Sequence, residues 1–145
     1  PNDSKNSAGT LRLLDIFPLM MATMKRGATL LVDELDASLH PMIIMSFIKI
    51  FHNDEINKNG AQLIFNTHNP IFLNKNLFRR DEIKFVEKEE KESILYSLSD
   101  FGTSGKNGVR NGENYLKNYF INKYGAITDV DFSDIFEEYM NQERK

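Results

Sequence analysis

The chain has 145 residues, of which 41% are hydrophobic and 27% are charged, and its formal net charge at neutral pH is −3. This composition indicates a globular domain large enough to bury a continuous core, and it excludes a disordered tail and a globally basic nucleic-acid binder. The apolar stretches are far shorter than the roughly 20 residues that span a bilayer, and there is no cysteine, so we expect a cytoplasmic location, no membrane partner and no disulfide framework.

A helix followed by a buried strand is predicted first. After Gly9 and Thr10, apolar residues recur at helical spacing until Gly27, which is a suitable residue to end a helix in the left-handed conformation. Residues 28–32 are almost wholly apolar, which predicts a strand buried on both faces, as in a parallel sheet.

The next segments predict a crossover to a second parallel strand. Residues 42–51 carry apolar side chains at helical spacing, and residues 62–66 are again a short apolar run. Two strands joined through a helix of this length form a βαβ unit. Residues 71–77 then predict a short helix.

The remaining pattern predicts a hairpin and two helices. Residues 82–87 and 93–98 indicate an antiparallel strand pair, and the glycine-rich residues 101–112 indicate a loop. Helices are predicted over residues 113–124 and 130–142. The second of these has an apolar face formed by Phe132, Ile135, Phe136 and Tyr139.

Two adjacent acids follow the first predicted strand. Ligand sites in open α/β sheets lie at the carboxyl ends of the strands, which is where Asp33 and Glu34 fall. A magnesium ion on nucleotide phosphates requires a carboxylate, and a water that attacks a γ-phosphate requires a base. Asp33 suits the first role and Glu34 the second. An ordinary strand that ends in an acidic turn is the alternative.

The residues after these acids resemble a known family. Residues 33–41 read DELDASLHP, which resembles the Walker B motif and D-loop of ABC-class ATPases of the SMC, RecF and OLD branch; transporter ATPases usually read DEPTSALD instead. In that branch the D-loop crosses a dimer interface and senses the nucleotide of the partner. The resemblance assigns this role to Asp36 and Ser38.

Two further segments match the order of motifs in the same family. His68, just past the second predicted strand, resembles the switch histidine that reaches the γ-phosphate, although a histidine in this position is also an ordinary turn residue. Ser7, Gly9 and Thr10 resemble the signature motif, which binds the ATP of the other protomer at a helix N-terminus. A simple helix cap is the alternative for these three residues.

The resemblance implies a partial P-loop NTPase fold of the α/β class: a mostly parallel sheet with flanking helices, an antiparallel strand pair and no P-loop lobe. Residues 102–107 are spaced differently from a P-loop and lie after the acids, so they are interpreted as a loop. We expect residues 1–100 to form the C-terminal lobe of the ATPase and residues 101–145 to pack on it. Residues 110–115 and 124–127 resemble the closing segment of many bacterial ATPases of this kind, and Tyr115, Tyr119 and Tyr124 are expected to serve in packing.

The implied function is ATP binding and hydrolysis with Mg²⁺ in a homodimer that sandwiches the nucleotide, together with an N-terminal lobe that carries the P-loop. Such cycles drive conformational work on DNA or an effector protein, in some members during antiphage defence. A non-enzymatic lobe that binds a partner protein and a DNA-repair ATPase of the RecF or SMC type are the alternatives. The chain alone is expected to be inactive.

Overall fold

The computed structural model describes residues 7–89, 92–103, 108–110, 113–127 and 131–142. Their regular elements alternate between helix and strand in the first half and then form a hairpin followed by two short helices. In chain order these are α1 (Ala8–Arg26), β1 (Thr29–Val32), α2 (Pro41–Phe51), β2 (Gln62–Phe65), β3 (Lys84–Glu89), β4 (Glu92–Ser97), α3 (Tyr115–Phe120) and α4 (Ser133–Gln142).

Local side chains fix both ends of α1. The Ser7 hydroxyl accepts a hydrogen bond from the Thr10 N–H at 3.2 Å and thereby satisfies a free amide of the first turn. Gly27 takes the left-handed conformation (φ 63°) just after the helix, as predicted. The Asn59 side chain donates to the carbonyls of Met24 and Lys25 at 3.2 and 3.0 Å, so the last turn of α1 is held by the loop that precedes β2.

The strands β1 and β2 pair in parallel, with Thr29 opposite Gln62 and Val32 opposite Phe65. The helix α2 connects them, so the predicted βαβ unit is confirmed in its order and strand direction. His40 caps α2 by accepting the Met42 N–H on Nδ1 at 3.2 Å, and Pro41 occupies the first helical position, where a missing N–H has no cost.

Burial of β1 on both faces was predicted, and it is wrong for the described structure. The helices α1 and α2 pack on one face, with Leu30 and Val32 against their apolar residues. On the opposite face the side chain of Leu31 is 72% exposed and that of Ile64 is 54% exposed. The strands are therefore apolar on both faces but covered by the described residues on only one.

The first core lies between the helices and the covered face of the strand pair. Its buried members are Ile16, Met20, Leu35, Leu39, Ile44, Phe47, Ile48, Phe51, Ala61, Phe72 and Leu77. The predicted helix over residues 71–77 is wrong, because only Pro70–Phe72 form a single 3-10 turn. Leu73 leaves helical geometry at ψ 69°, and the carbonyl of Asn74 starts a separate turn by accepting the N–H groups of Leu77 and Phe78.

The strands β3 and β4 form the predicted antiparallel hairpin, with Phe85 opposite Tyr96. A second core forms on this hairpin from residues on both sides of residue 100: Ile83, Phe85, Leu98, Val109, Tyr115 and Tyr124. The packing role of the tyrosines is thereby confirmed, with Tyr119 partly buried against the same cluster. The proposed division of the chain at residue 100 stays a prediction.

The two C-terminal helices are shorter than predicted. The helix α3 begins at Tyr115 because the Asn114 side chain caps it, and it ends before Asn122, which has a left-handed backbone (φ 54°). The helix α4 begins at Ser133, and its predicted apolar residues Phe132, Ile135, Phe136 and Tyr139 are all exposed in the described structure. Residues 104–107, 111–112 and 128–130, on which parts of the predicted elements fall, lie outside the described residues. None of the described helices combines the length and apolar character needed to cross a bilayer.

A single carboxylate joins three parts of the C-terminal segment. Glu113 accepts hydrogen bonds from Lys123 Nζ at 2.8 Å, from the Arg110 N–H at 3.1 Å and from Asn118 Nδ2 at 2.7 Å. Lys123 also donates to the Gly108 carbonyl at 2.9 Å. The Lys123 hydrogen bond, with smaller contributions from Arg110 and Asn118, lowers the pKa of Glu113 from 4.5 to about 2.

We expect Glu113→Gln to lower the midpoint of thermal unfolding at neutral pH, because the variant loses the charge that Lys123 binds. Since the pKa is depressed in the folded state, this stabilisation is fully present above pH 4.5 and is lost as the pH falls towards about 2. The difference between wild type and variant should therefore shrink across that window. Glu138→Gln on α4 is the control and should show no such difference. A gap between wild type and Glu113→Gln that is the same at pH 7 and pH 2 would contradict the assignment.

Candidate functional site

The two predicted acids emerge from the carboxyl end of β1 into solvent. Asp33 and Glu34 are both exposed, whereas the next residue, Leu35, is completely buried in the first core. Glu34 has a left-handed backbone (φ 47°), which costs a residue with a side chain about 1–2 kcal/mol. Buried Leu35 thus anchors a strained turn that presents both carboxylates at the sheet edge where α/β proteins bind ligands.

Asn66, which directly follows β2, links the two acids. Its Nδ2 donates to Asp33 Oδ1 at 2.6 Å, and its Oδ1 accepts the Glu34 N–H at 2.5 Å. The backbone carbonyl of Asn66 also accepts the Leu35 N–H at 3.3 Å. The sequence alone did not single out Asn66 as a site residue.

His68 lies beside Glu34, and a joint catalytic role for the two residues stays a prediction. The His68 Nε2 is 3.8 Å from Glu34 Oε1, and the two side chains are 91% and 60% exposed. A contact this exposed contributes little to stability. The exposure of both side chains fits a pair that can contact a ligand better than a pair that stabilises the fold.

The turn after the acids is anchored by a buried leucine at each end. Leu35 and Leu39 point into the core, while Asp36 and Ser38 lie between them on the outer side. The Asp36 carbonyl accepts the Leu39 N–H at 3.3 Å, and Ser38 has a left-handed backbone (φ 65°). The two residues assigned to a dimer contact therefore lie on an outward loop, and the contact itself stays a prediction.

The start of α1 packs directly on this loop. A Cβ atom on Gly9 would lie 2.5 Å from the Ser38 carbonyl oxygen, so only glycine allows this approach. The Ser7 hydroxyl caps the helix and also lies 3.0 Å from the Thr10 hydroxyl. Ser7, Gly9 and Thr10 thus have local structural roles here, and their binding of a phosphate stays a prediction.

A shallow, open depression of about 510 Å³ connects these parts. Arg12 of α1 lies in it and donates from Nη2 to the Asp33 carbonyl at 3.3 Å. Arg12 Nε is buried without a hydrogen-bond partner among the described residues. Arg12 is a second residue that the sequence did not reveal. The depression is lined by Ala8, Leu11, Arg12, Asp15, Asp33, Glu34, Ala37 and Ser38.

The side chains at this site fit a magnesium ion bound to a nucleotide better than a metal ion bound by protein side chains alone. Among the described residues no three histidine or acidic side chains group around a common point. Mg²⁺ usually keeps several waters and binds through one or two carboxylates together with substrate phosphates. Asp33 could supply such a carboxylate, and the remaining oxygens would come from water and phosphate.

Comparison with known proteins identifies one related family. Residues 3–74, just under half of the chain, match the family described as "AAA domain, putative AbiEii toxin, Type IV TA system". The search of curated proteins and that of solved structures found no match. The matched segment contains every predicted site residue, from Ser7 to His68. Through this segment the chain is related to the AAA class of P-loop ATPases, whose members generally bind and hydrolyse a nucleotide.

Proposed function

We propose that this chain supplies the hydrolytic half of an ATPase. The observation that carries the proposal is the arrangement at the end of the parallel strands, where Asp33 and Glu34 are bridged by Asn66 and approached by His68. A lobe with a purely structural role has no use for an exposed base beside an exposed histidine. The match to an AAA domain over the same residues supports this reading.

Each side chain has a role that its chemistry allows. Asp33 would bind the water shell of Mg²⁺, and Glu34 would accept a proton from the attacking water. His68 would donate to the γ-phosphate or hold the proton acceptor in place. When bound, Mg²⁺ and ATP would supply the phosphoryl group and a cation that neutralises part of the phosphate charge.

The phosphate cradle must come from elsewhere, because the chain contains no GxxxxGK[ST] motif. We call this chain, together with the segment or chain that carries the P-loop, the assembled ATPase. The exposed Leu31 and Ile64 on the open face of the strand pair support such a lobe, since apolar strand faces are normally covered.

We propose further that the assembled ATPase is a dimer of the SMC, RecF and OLD type with the nucleotide between protomers. In that arrangement Ser7, Gly9 and Thr10 bind the nucleotide held by the partner, and Asp36 and Ser38 face the same interface. The contact between Gly9 and the Ser38 carbonyl supports the idea, because it ties the two segments into one surface.

ATP hydrolysis would drive a conformational change that acts on DNA or on an effector protein. The description of the matched family names a "putative AbiEii toxin" and a "Type IV TA system". An effector in antiphage defence is our proposal, and a DNA-repair ATPase of the RecF or SMC type is the alternative.

A non-enzymatic interaction lobe is the second candidate. The exposed apolar residues of α4, such as Ile135 and Phe136, favour it, because they form a surface on which a partner protein could pack. The two candidates differ in a simple respect: only the ATPase requires the carboxylate of Glu34.

We expect the 145-residue chain alone to release no phosphate from ATP above background, because it lacks a phosphate cradle. Addition of the segment that carries the P-loop should restore turnover. Phosphate release measured for the chain, for the P-loop segment and for their mixture tests this expectation. Substantial turnover by the chain alone would contradict the proposed division of labour.

A further inference from the structure

We propose that Asn66 is a positioning residue for ATP hydrolysis, which presents the Asp33 carboxylate and the Glu34 backbone in a fixed relation. This inference rests on the proposed ATPase function and names a residue, directly after β2, that holds both acids of that site. Asn66 itself is not assigned contact with the nucleotide.

The side-chain amide is matched to two different neighbours. Its nitrogen donates to Asp33 Oδ1 at 2.6 Å while its oxygen accepts the Glu34 N–H at 2.5 Å. A carboxylate offers no donor for Asp33, and an aliphatic side chain offers neither donor nor acceptor. Asparagine is short enough to reach both groups from the end of the adjacent strand.

The backbone of Asn66 extends the same connection. Its N–H donates to the Val32 carbonyl at 3.4 Å, and its carbonyl accepts the Leu35 N–H at 3.3 Å. Asn66, the residue directly after β2, thus bonds to four consecutive residues, from Val32 to Leu35. The left-handed turn at Glu34 is therefore held by hydrogen bonds to Asn66.

This arrangement has a direct chemical consequence. The bond from Asn66 occupies one oxygen of Asp33 and orients the carboxylate, so the other oxygen is available to the water shell of a metal ion. The bond to the Glu34 N–H fixes the Cα position from which its side chain extends towards His68. Loss of the first bond would let the exposed Asp33 carboxylate rotate, and loss of the second would release the backbone turn at Glu34.

A second asparagine provides a matched control. Asn57, in the loop before β2, also uses both ends of its amide: Nδ2 donates to the carbonyls of Phe51 and Ala61, each at 2.8 Å, and Oδ1 accepts the Ala61 N–H at 2.8 Å. It makes none of its hydrogen bonds to the acid pair. Asn57→Ala therefore removes a comparable amide bridge with a purely structural role.

The experiment compares wild type, Asn66→Ala, Asn66→Ser and Asn57→Ala in the assembled ATPase. For each protein we would measure kcat, the KM for ATP, the Mg²⁺ concentration at half-maximal rate and the midpoint of thermal unfolding. We expect Asn66→Ala to lower kcat or raise the Mg²⁺ requirement by roughly 10- to 100-fold, the usual effect of removing a partner of a metal-binding side chain. Asn66→Ser, whose hydroxyl can still donate or accept, should lose less.

Asn57→Ala should lower the unfolding midpoint and leave kcat and the Mg²⁺ requirement of the folded protein unchanged. If Asn66→Ala keeps the wild-type kcat and Mg²⁺ requirement, or loses activity only in proportion to its loss of folded protein as Asn57→Ala does, the inference about Asn66 is wrong. A wild-type protein that shows no Mg²⁺-dependent turnover would overturn the proposed function itself, and this inference with it.

Discussion

Glu34→Gln is expected to slow ATP turnover by the assembled ATPase roughly 100-fold or more, because a positioned general base usually contributes a factor of about 10² to 10⁴. The amide keeps the size of the side chain but cannot accept the proton of the attacking water. ATP binding should persist, since Glu34 is not assigned to the phosphate cradle, and the nucleotide-bound dimer should accumulate. Steady-state phosphate release and equilibrium ATP binding, measured on the same preparation, test both parts.

The control for this variant is Glu55→Gln. Glu55 is also an exposed glutamate, but it lies in the loop after α2, away from the acid pair. The control should turn over ATP at the wild-type rate. Turnover by Glu34→Gln that equals that of the control would remove Glu34 from the mechanism.

Leu35→Ala should destabilise the chain by about 2–5 kcal/mol, because it empties a fully buried site in the first core. The control lies four residues away in the same segment. Leu31 is 72% exposed, so Leu31→Ala should change the free energy of unfolding of this chain by no more than about 0.5 kcal/mol. Urea unfolding of the two variants and the wild type measures both values.

A loss for Leu31→Ala in this chain as large as that for Leu35→Ala would contradict the observed exposure of Leu31. The same pair of variants also bears on the proposed P-loop lobe. If that lobe covers the open face, Leu31→Ala should become destabilising only in the assembled ATPase.

Local features of the chain were predictable from the sequence. Gly27 ends α1 and the apolar run before Asp33 forms β1, because both depend on nearby residues and on elementary backbone preferences. The parallel pairing of β1 with β2 followed from the intervening helix α2. The approach of His68 to Glu34 followed from that pairing, since both residues come shortly after paired strands.

Two features were predicted wrongly, one because of distant contacts and one because of a local turn. The apolar pattern of β1 indicates that both faces prefer burial, but it cannot reveal that only one is covered within the described chain. The helix expected over residues 71–77 failed because Asn74 forms its own turn there, a local competition that apolar spacing does not register.

The two missed site residues differ in how far the sequence could have revealed them. Asn66 and Asp33 each directly follow the paired positions Phe65 and Val32, so the strand register alone would have placed their side chains together. Arg12 had no comparable signal, because its contact with the Asp33 carbonyl depends on how α1 packs against β1.

The most direct test of the central claim is the rate of phosphate release from ATP by the wild-type assembled ATPase, with and without Mg²⁺. The proposed roles of Asp33, Glu34 and His68 predict turnover that requires Mg²⁺ and stops when the ion is chelated. Wild-type protein that is folded and assembled, yet releases no phosphate above background at saturating ATP and Mg²⁺, would contradict the claim that this site hydrolyses ATP.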